Sequence, residues 1–134
     1  MAMEIGQSEK EGIVILEPKG RLTVGEASEL RDRVRSLMES GKKNFILDLA
    51  QVDYIDSTGL GTMVICFTSV QKAGGKLKLL RLSRRNIELL VLTKLTTVFE
   101  IFNDEQDAVN SFFPNREIKR FDILEFVQRQ EDEG

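Results

Sequence analysis

Residues 55–64, IDSTGLGTMV, hold the side chains best placed for chemistry. Asp56, Ser57 and Thr58 follow a run of β-forming residues and precede apolar residues at helical spacing. A hydroxyl at the start of a helix faces free backbone N–H groups and the positive end of the helix dipole, which together favour an anion. This pattern predicts either that Ser57 caps the helix or that its hydroxyl is displayed for modification, and spacing alone leaves both open.

Two glycines follow the hydroxyls, at Gly59 and Gly61. Each costs up to about 1 kcal/mol of helix propensity relative to Ala, so a purely structural helix would gain by replacing both. We expect them to keep the first turn bare, so that the active site of another protein can approach the Ser57 hydroxyl.

The residues around these hydroxyls exclude several enzymatic motifs. A serine hydrolase needs Gly-x-Ser-x-Gly and a His base, but Ile55 stands two places before Ser57 and the chain has no His. The GGK at 74–76 lacks the first glycine and the hydroxyl of a phosphate loop, and the GLG at 59–61 lacks the third glycine of a dinucleotide site. We therefore predict no cofactor and no catalysis, with nucleotide binding kept as a hypothesis that rests on the helix start alone.

Metal chemistry has little support in the composition. With no His and a single cysteine, Cys66, a Cys/His site cannot form and neither can an intrachain disulfide. Asp48, Asp53 and Asp56 could offer carboxylates to a divalent ion, but caps and turns at strand ends explain them more simply. We predict no metal and a reducing, cytoplasmic setting.

Length and charge narrow the class of protein. The 134 residues suit one domain, and 41% hydrophobic with 31% charged residues are ordinary values for a globular chain. A formal net charge of −3 argues against a nucleic-acid partner. The amino terminus lacks the features of a secretory signal, and the most apolar stretch, 60–67, is far shorter than the roughly 20 residues of a membrane span.

The elements that would position the site alternate along the chain. Two short runs around the charged turn 9–12 predict an antiparallel hairpin, and strand and helix then alternate. The order predicts an α/β domain with a mixed, mainly parallel β-sheet of about five strands and helices packed against it. The predicted strands are 3–9, 12–18, 44–50, 76–82 and 98–102.

Polar residues mark the predicted helix starts. Thr23, followed three residues later by Glu26, has the pattern of a capping box for a first helix that Gly41 stops. A second helix begins at or near Ser57. Two further helices are predicted, one capped by Ser83 with apolar positions that run to Leu95 and one capped by Asn103.

Pro114 and Asn115 mark the end of the predicted domain, 1–113. Residues 114–134 form a C-terminal amphipathic extension, predicted to be helical, with an acidic end at 131–133. We expect this helix to pack on its own domain or on a second copy, as a homodimer, and a surface for another protein is the alternative. Its apolar stripe comprises Ile118, Phe121, Ile123, Leu124, Phe126 and Val127.

Three segments, GRLTVGEASEL, FILDLAQVDYIDSTGLGTMV and GGKLKLLRLSRRNIELLVLTKLTTVFEIF, closely resemble the STAS domain of bacterial anti-sigma factor antagonists. The resemblance covers approximately Met3 to Phe113 and is most specific at Asp48 and at 56–61. It implies the STAS fold. It also implies a protein that is substrate and ligand rather than catalyst.

In that family, the serine at the position of Ser57 is phosphorylated by an anti-sigma factor that is also a serine kinase. The resemblance implies that the unphosphorylated form binds this kinase and releases the sigma factor, that phosphorylation ends binding, and that a serine phosphatase resets the protein. Thr58 is the second choice of acceptor. The implied partner-binding residues are Asp56, Ser57, Thr58, Gly59, Leu60 and Thr23.

One position departs from the family. Members often carry an aspartate after Gly-x-Leu, where this chain has Thr23. We expect Thr23 to cap the first helix, with a direct role at the switch as the alternative, and the loss of the acid could slow phosphorylation. A second hypothesis for the whole chain is a non-phosphorylated STAS interaction module in a multi-protein signalling or lipid-transport complex.

Overall fold

The computed structural model describes residues 3–118, which form a six-stranded mixed sheet with α-helices packed on it. This arrangement confirms the predicted α/β class. The sheet has one strand more than the five listed above, because residues 52–55 form a strand of their own. In chain order the elements are β1 Glu4–Lys10, β2 Ile13–Leu22, α1 Val24–Glu39, β3 Asn44–Asp48, β4 Val52–Ile55, α2 Ser57–Lys72, β5 Lys76–Leu80, α3 Arg84–Leu92, β6 Ile101–Phe102 and α4 Glu105–Asn110.

The predicted hairpin is confirmed. Strands β1 and β2 pair antiparallel from Glu4↔Lys19 to Lys10↔Ile13. The turn between them places Glu11 and Gly12 at φ values of 52° and 83°, the positive values that a tight two-residue hairpin turn requires. The other ladders are parallel, and the main sheet runs in the order β1-β2-β3-β5-β6.

Strand β2 pairs with two parallel strands along its length, first β3 and then β4. Its first half pairs with β3, and its last three residues pair with β4 from Gly20↔Val52 to Leu22↔Ile55, with a register shift between Gly20 and Arg21. The strand therefore runs four residues beyond the predicted end at Pro18. Because β2 and β4 end side by side, the residues that follow them, Thr23 and Asp56, lie at the same edge of the sheet.

The core has two parts, one on each face of the sheet. Helices α1, α2 and α3 cover one face with residues such as Leu30, Met63 and Leu90. Helix α4 covers the other face, where Phe102 and Val109 belong to a smaller cluster. The site helices α1 and α2 thus share one layer.

Buried Asp48, which interrupts an apolar strand, has a structural role. The Arg81 guanidinium donates to its Oδ2 at 2.7 Å, and the Ala50 N–H donates to its Oδ1 at 3.2 Å. Burying a carboxylate is costly unless it is paired and hydrogen-bonded, as it is here.

Two predicted helix boundaries need correction. Helix α3 ends at Leu92, and Leu95 instead starts a short 3-10 turn, Leu95–Thr97. Helix α4 is capped by Asp104, whose side chain accepts from the Asp107 N–H at 3.0 Å, and not by Asn103. Lys94, whose φ of 62° is left-handed, separates α3 from the 3-10 turn, whereas Asn103 and Asp104 are adjacent residues of types that both cap helices well.

The C-terminal extension lies outside the described residues from 119 onward, including all of its apolar stripe except Ile118 and all of its acidic end. Its first residues contact the domain. The Arg116 guanidinium donates two hydrogen bonds to the Glu11 carboxylate, at 2.9 and 3.1 Å, and stacks 4.1 Å from the centre of the Phe113 ring. The chain is therefore held beside the β1–β2 turn at residue 116.

Helix α2 packs directly on the end of β2 through Gly59. A Cβ added to Gly59 would lie 2.1 Å from the Leu22 carbonyl oxygen, whereas one added to Gly61 would meet nothing within 4 Å. The expectation that both glycines simply keep the helix bare is therefore wrong for Gly59, which the packing requires. It fits Gly61, which is exposed.

We predict that Gly59→Ala lowers the free energy of unfolding by about 1–3 kcal/mol, the usual cost of overpacking. Gly61→Ala is the matched control and should raise it by up to about 1 kcal/mol through helix propensity. Urea denaturation of the two variants and the parent measures both effects. Equal changes in the two variants would contradict the close contact at Gly59.

Candidate functional site

The start of α2 is capped by Asp56 and not by Ser57. Asp56 has an extended backbone, with φ −91° and ψ −177°, and its Oδ1 accepts from the Gly59 N–H at 2.7 Å. Asp is among the strongest N-cap residues, and its carboxylate reaches the N–H three residues on. The interpretation of Ser57 as the cap is therefore wrong, because Ser57 is the first residue of the helix itself.

The Ser57 side chain is consequently not needed to cap α2. It is exposed, and within residues 3–118 its hydroxyl makes no hydrogen bond. Thr58 is exposed as well, and Asp56 is half-buried between them and the sheet. The hydroxyl of Ser57 can thus change chemically without the loss of a cap.

The structure separates the predicted partner-binding residues into two groups. Asp56, Ser57, Thr58 and Thr23 lie where β2 and β4 end. Gly59 and Leu60 are buried, and the Leu60 side chain belongs to the core with 9% exposure. These two residues pack α2 on the sheet and expose little surface to a partner.

Thr23 occupies the N-cap position of α1 but does not form the predicted capping box. Its side chain accepts no backbone N–H. Its hydroxyl instead donates to the Glu26 carboxylate at 2.7 Å. The hydrogen bond from Thr23, followed by the one from the backbone N–H of Glu26, holds the pKa of the Glu26 carboxyl below its ordinary value. An oriented carboxylate therefore stands at the start of α1.

Contacts of the Leu22 carbonyl bring the starts of α1 and α2 together. This oxygen accepts from the Asp56 N–H at 3.3 Å and touches Gly59, and Thr23 follows it directly. Two helix N-termini therefore present free N–H groups at one edge of the sheet. We call Thr23, Val24, Ser57, Thr58 and Gly61 the helix-start surface.

Two residues of this region, Val24 and Tyr54, were not predicted from the sequence. Val24 is an apolar residue with 71% exposure. Its position directly after the predicted cap of α1 was the one sequence feature that could have indicated that it lies at the helix start. Tyr54 stacks beneath the Arg21 guanidinium at 5.1 Å, a cross-strand contact that depends on the β2–β4 register. No local pattern indicates that pairing.

The three aspartates that could offer carboxylates to a metal do not lie together. Asp48 pairs with Arg81, Asp56 caps α2, and Asp53 is exposed on β4. Within the part of the chain that the structure describes, no group of three metal-ligating side chains occurs. Among the same residues, no helix has both the length and the apolar character needed to cross a membrane.

Comparisons with known proteins agree on one family. The family model described as STAS domain matches residues 5–108. The anti-sigma-B factor antagonist of Bacillus subtilis (strain 168) is 36% identical over 109 residues, which cover 81% of this chain and 99% of that protein.

Solved structures share the fold. The crystal structure of a candidate anti-sigma factor antagonist from Thermotoga maritima matches with a TM-score of 0.76 and 25% identity, over 80% of this chain and 92% of the other. The phosphorylated form of the Bacillus cell fate determinant SpoIIAA matches with a TM-score of 0.66 and 15% identity, over 82% and 100%.

We predict that Asp56→Ala lowers the free energy of unfolding by about 1 kcal/mol through loss of the cap. Ser57→Ala should change it by less than about 0.5 kcal/mol, because the hydroxyl is exposed and bonds to no described residue. Asp56→Asn, which keeps a capping oxygen, is the control and should retain most of the stability. Chemical denaturation gives all three values, and a larger loss for Ser57→Ala than for Asp56→Ala would contradict the assignment of the cap.

Proposed function

The chain belongs to the STAS domain family and to its anti-sigma factor antagonists, and on this basis we propose that it is a partner-switching regulator and not an enzyme. In its unphosphorylated form it binds an anti-sigma factor that is also a serine kinase, and the sigma factor is released. Phosphorylation of Ser57 ends this binding, and a serine phosphatase restores it. The cycle takes place in the cytoplasm.

The free hydroxyl of Ser57 is the observation that carries this proposal. Asp56 caps α2 through the Gly59 N–H, so a kinase can modify Ser57 without removing a cap. Gly61, exposed and without a side chain, leaves room beside the hydroxyl for the active site of another protein. Thr58 is exposed too, and it is the second candidate for the acceptor.

Charge supplies the switch. A phosphoryl group would add about −1.5 to −2 charges to a surface that already carries the Asp56 and Glu26 carboxylates. The positive ends of α1 and α2 offset part of this charge, so the fold tolerates it. A partner that fits the uncharged surface meets like-charge repulsion or a desolvation cost, and binding weakens.

The Thr23–Glu26 pair bears on the departure from the family pattern. Where family members often place an aspartate, this chain places a hydroxyl that holds the Glu26 carboxylate. An acidic group therefore remains at the start of α1. We propose that the Glu26 carboxylate supplies the negative charge that the aspartate supplies in other members, and that the Thr23 hydroxyl orients this carboxylate.

We predict that incubation with the cognate kinase and ATP adds one phosphoryl group, which tandem mass spectrometry locates on Ser57. Ser57→Ala should abolish the modification, whereas Thr58→Ala, the matched control one residue away, should retain it. Phosphorylation elsewhere with Ser57 unmodified would refute the site.

Binding to the kinase should respond to charge at this position. Ser57→Ala should leave the Kd within about threefold of the parent, and Ser57→Asp should raise it by about tenfold or more, which is roughly 1.4 kcal/mol. Thr68→Asp, which adds the same charge at an exposed position on α2, is the control and should bind normally. Calorimetric titration measures all four proteins. Full affinity of Ser57→Asp would favour the non-phosphorylated interaction module instead.

A further inference from the structure

A groove between α1 and α2 lies apart from the helix-start surface. Its volume is about 590 Å³. Ile65, with 46% exposure, is one of the few large apolar side chains that the described residues leave open to solvent. The lining combines an apolar floor with a polar rim: Val34, Met38, Ile65 and Cys66 form the floor, and Arg31, Arg35, Glu39 and Ser69 form the rim.

We propose that this groove binds residues 119–134 of the same chain. The proposal is independent of phosphorylation at Ser57. It concerns the opposite half of the helix layer, since Ile65 lies eight residues, or about 12 Å along the helix, from Ser57.

The route of the chain favours this occupant. Arg116 holds the chain against Glu11 in the β1–β2 turn. Beside that turn, the Lys42 ammonium contacts Glu9 at 2.7 Å, and the Lys42 N–H donates to the Leu37 carbonyl at 3.0 Å. The turn is thereby joined to the last turn of α1, which contributes Met38 and Glu39 to the groove.

The remaining length is sufficient for this route. Sixteen residues follow Ile118, and they span roughly 53 Å when extended at about 3.3 Å per residue. A few of them can pass the edge of the sheet while the others lie along the helices.

Chemical complementarity favours the same segment. Residues 121–127, FDILEFV, supply large apolar side chains for the floor. The acidic residues at 131–133 supply charge opposite to Arg31 and Arg35 at the rim. Arg35 contacts Asp32, whereas Arg31 makes no ion pair with any residue between 3 and 118. Arg31 is therefore the cation most available to the acidic end.

Paramagnetic relaxation in the full-length chain tests the proposal. A nitroxide reagent should label Gln130→Cys and spare Cys66, because Cys66 is only 2% exposed and burial raises the pKa of its thiol to about 11. Backbone amide signals of Met38, Ile65 and Ser69 should be broadened selectively. Adding Arg31→Glu should lower the ratio of docked to free segment by up to about fivefold and so weaken the broadening.

Arg33→Glu is the matched control, because Arg33 is two residues away on α1 and its guanidinium donates to Gln7 at 3.0 Å, away from the groove. The broadening should persist in that variant. Absent broadening, broadening centred elsewhere, or equal loss in both Arg variants would overturn the proposal. A mixed sample distinguishes docking within one chain from docking between two chains. It contains isotope-labelled chain without nitroxide and unlabelled chain with nitroxide. Broadening of the labelled signals in this sample would assign the groove to a second copy and overturn intramolecular docking.

Discussion

The contact between Gly59 and the Leu22 carbonyl is the constraint on which the site depends. One backbone oxygen accepts from the Asp56 N–H and lies against the Cα of Gly59. Helix α2 can approach β2 this closely only without a side chain at position 59. The position of Ser57, two residues before Gly59, follows from this contact, so the glycine in the motif serves the fold first and access to the hydroxyl only indirectly.

Much of the fold could be predicted because its signals are local. Apolar spacing located α1 and α2, and the β1–β2 hairpin followed from two short runs around a charged turn. The full extent of β2 could not be predicted, because its last residues pair with β4, some 30 positions away, in a ladder whose register shifts between Gly20 and Arg21. No window of neighbouring residues contains that pairing.

The candidate site was predictable in place but not in detail. Asp56 and Ser57 are both good cap residues, and the extended backbone that ends β4 decides in favour of Asp56. Leu60 was assigned to a partner surface although its spacing with Met63 already placed it on the buried stripe. In a capping box the Thr23 hydroxyl would accept from the Glu26 N–H, but here it donates to the Glu26 carboxylate. This difference is a choice of side-chain rotamer, which sequence spacing does not determine.

The parallel strand order also separates the two ends of the domain. Ser57 follows the carboxyl end of β4. Residue 116 lies at the opposite end of the strands, beside the turn that precedes β2. A change in chain length after residue 116 therefore begins far from the Ser57 hydroxyl. For protein engineering, the same separation makes the C-terminal side the natural place for a fusion or an affinity tag.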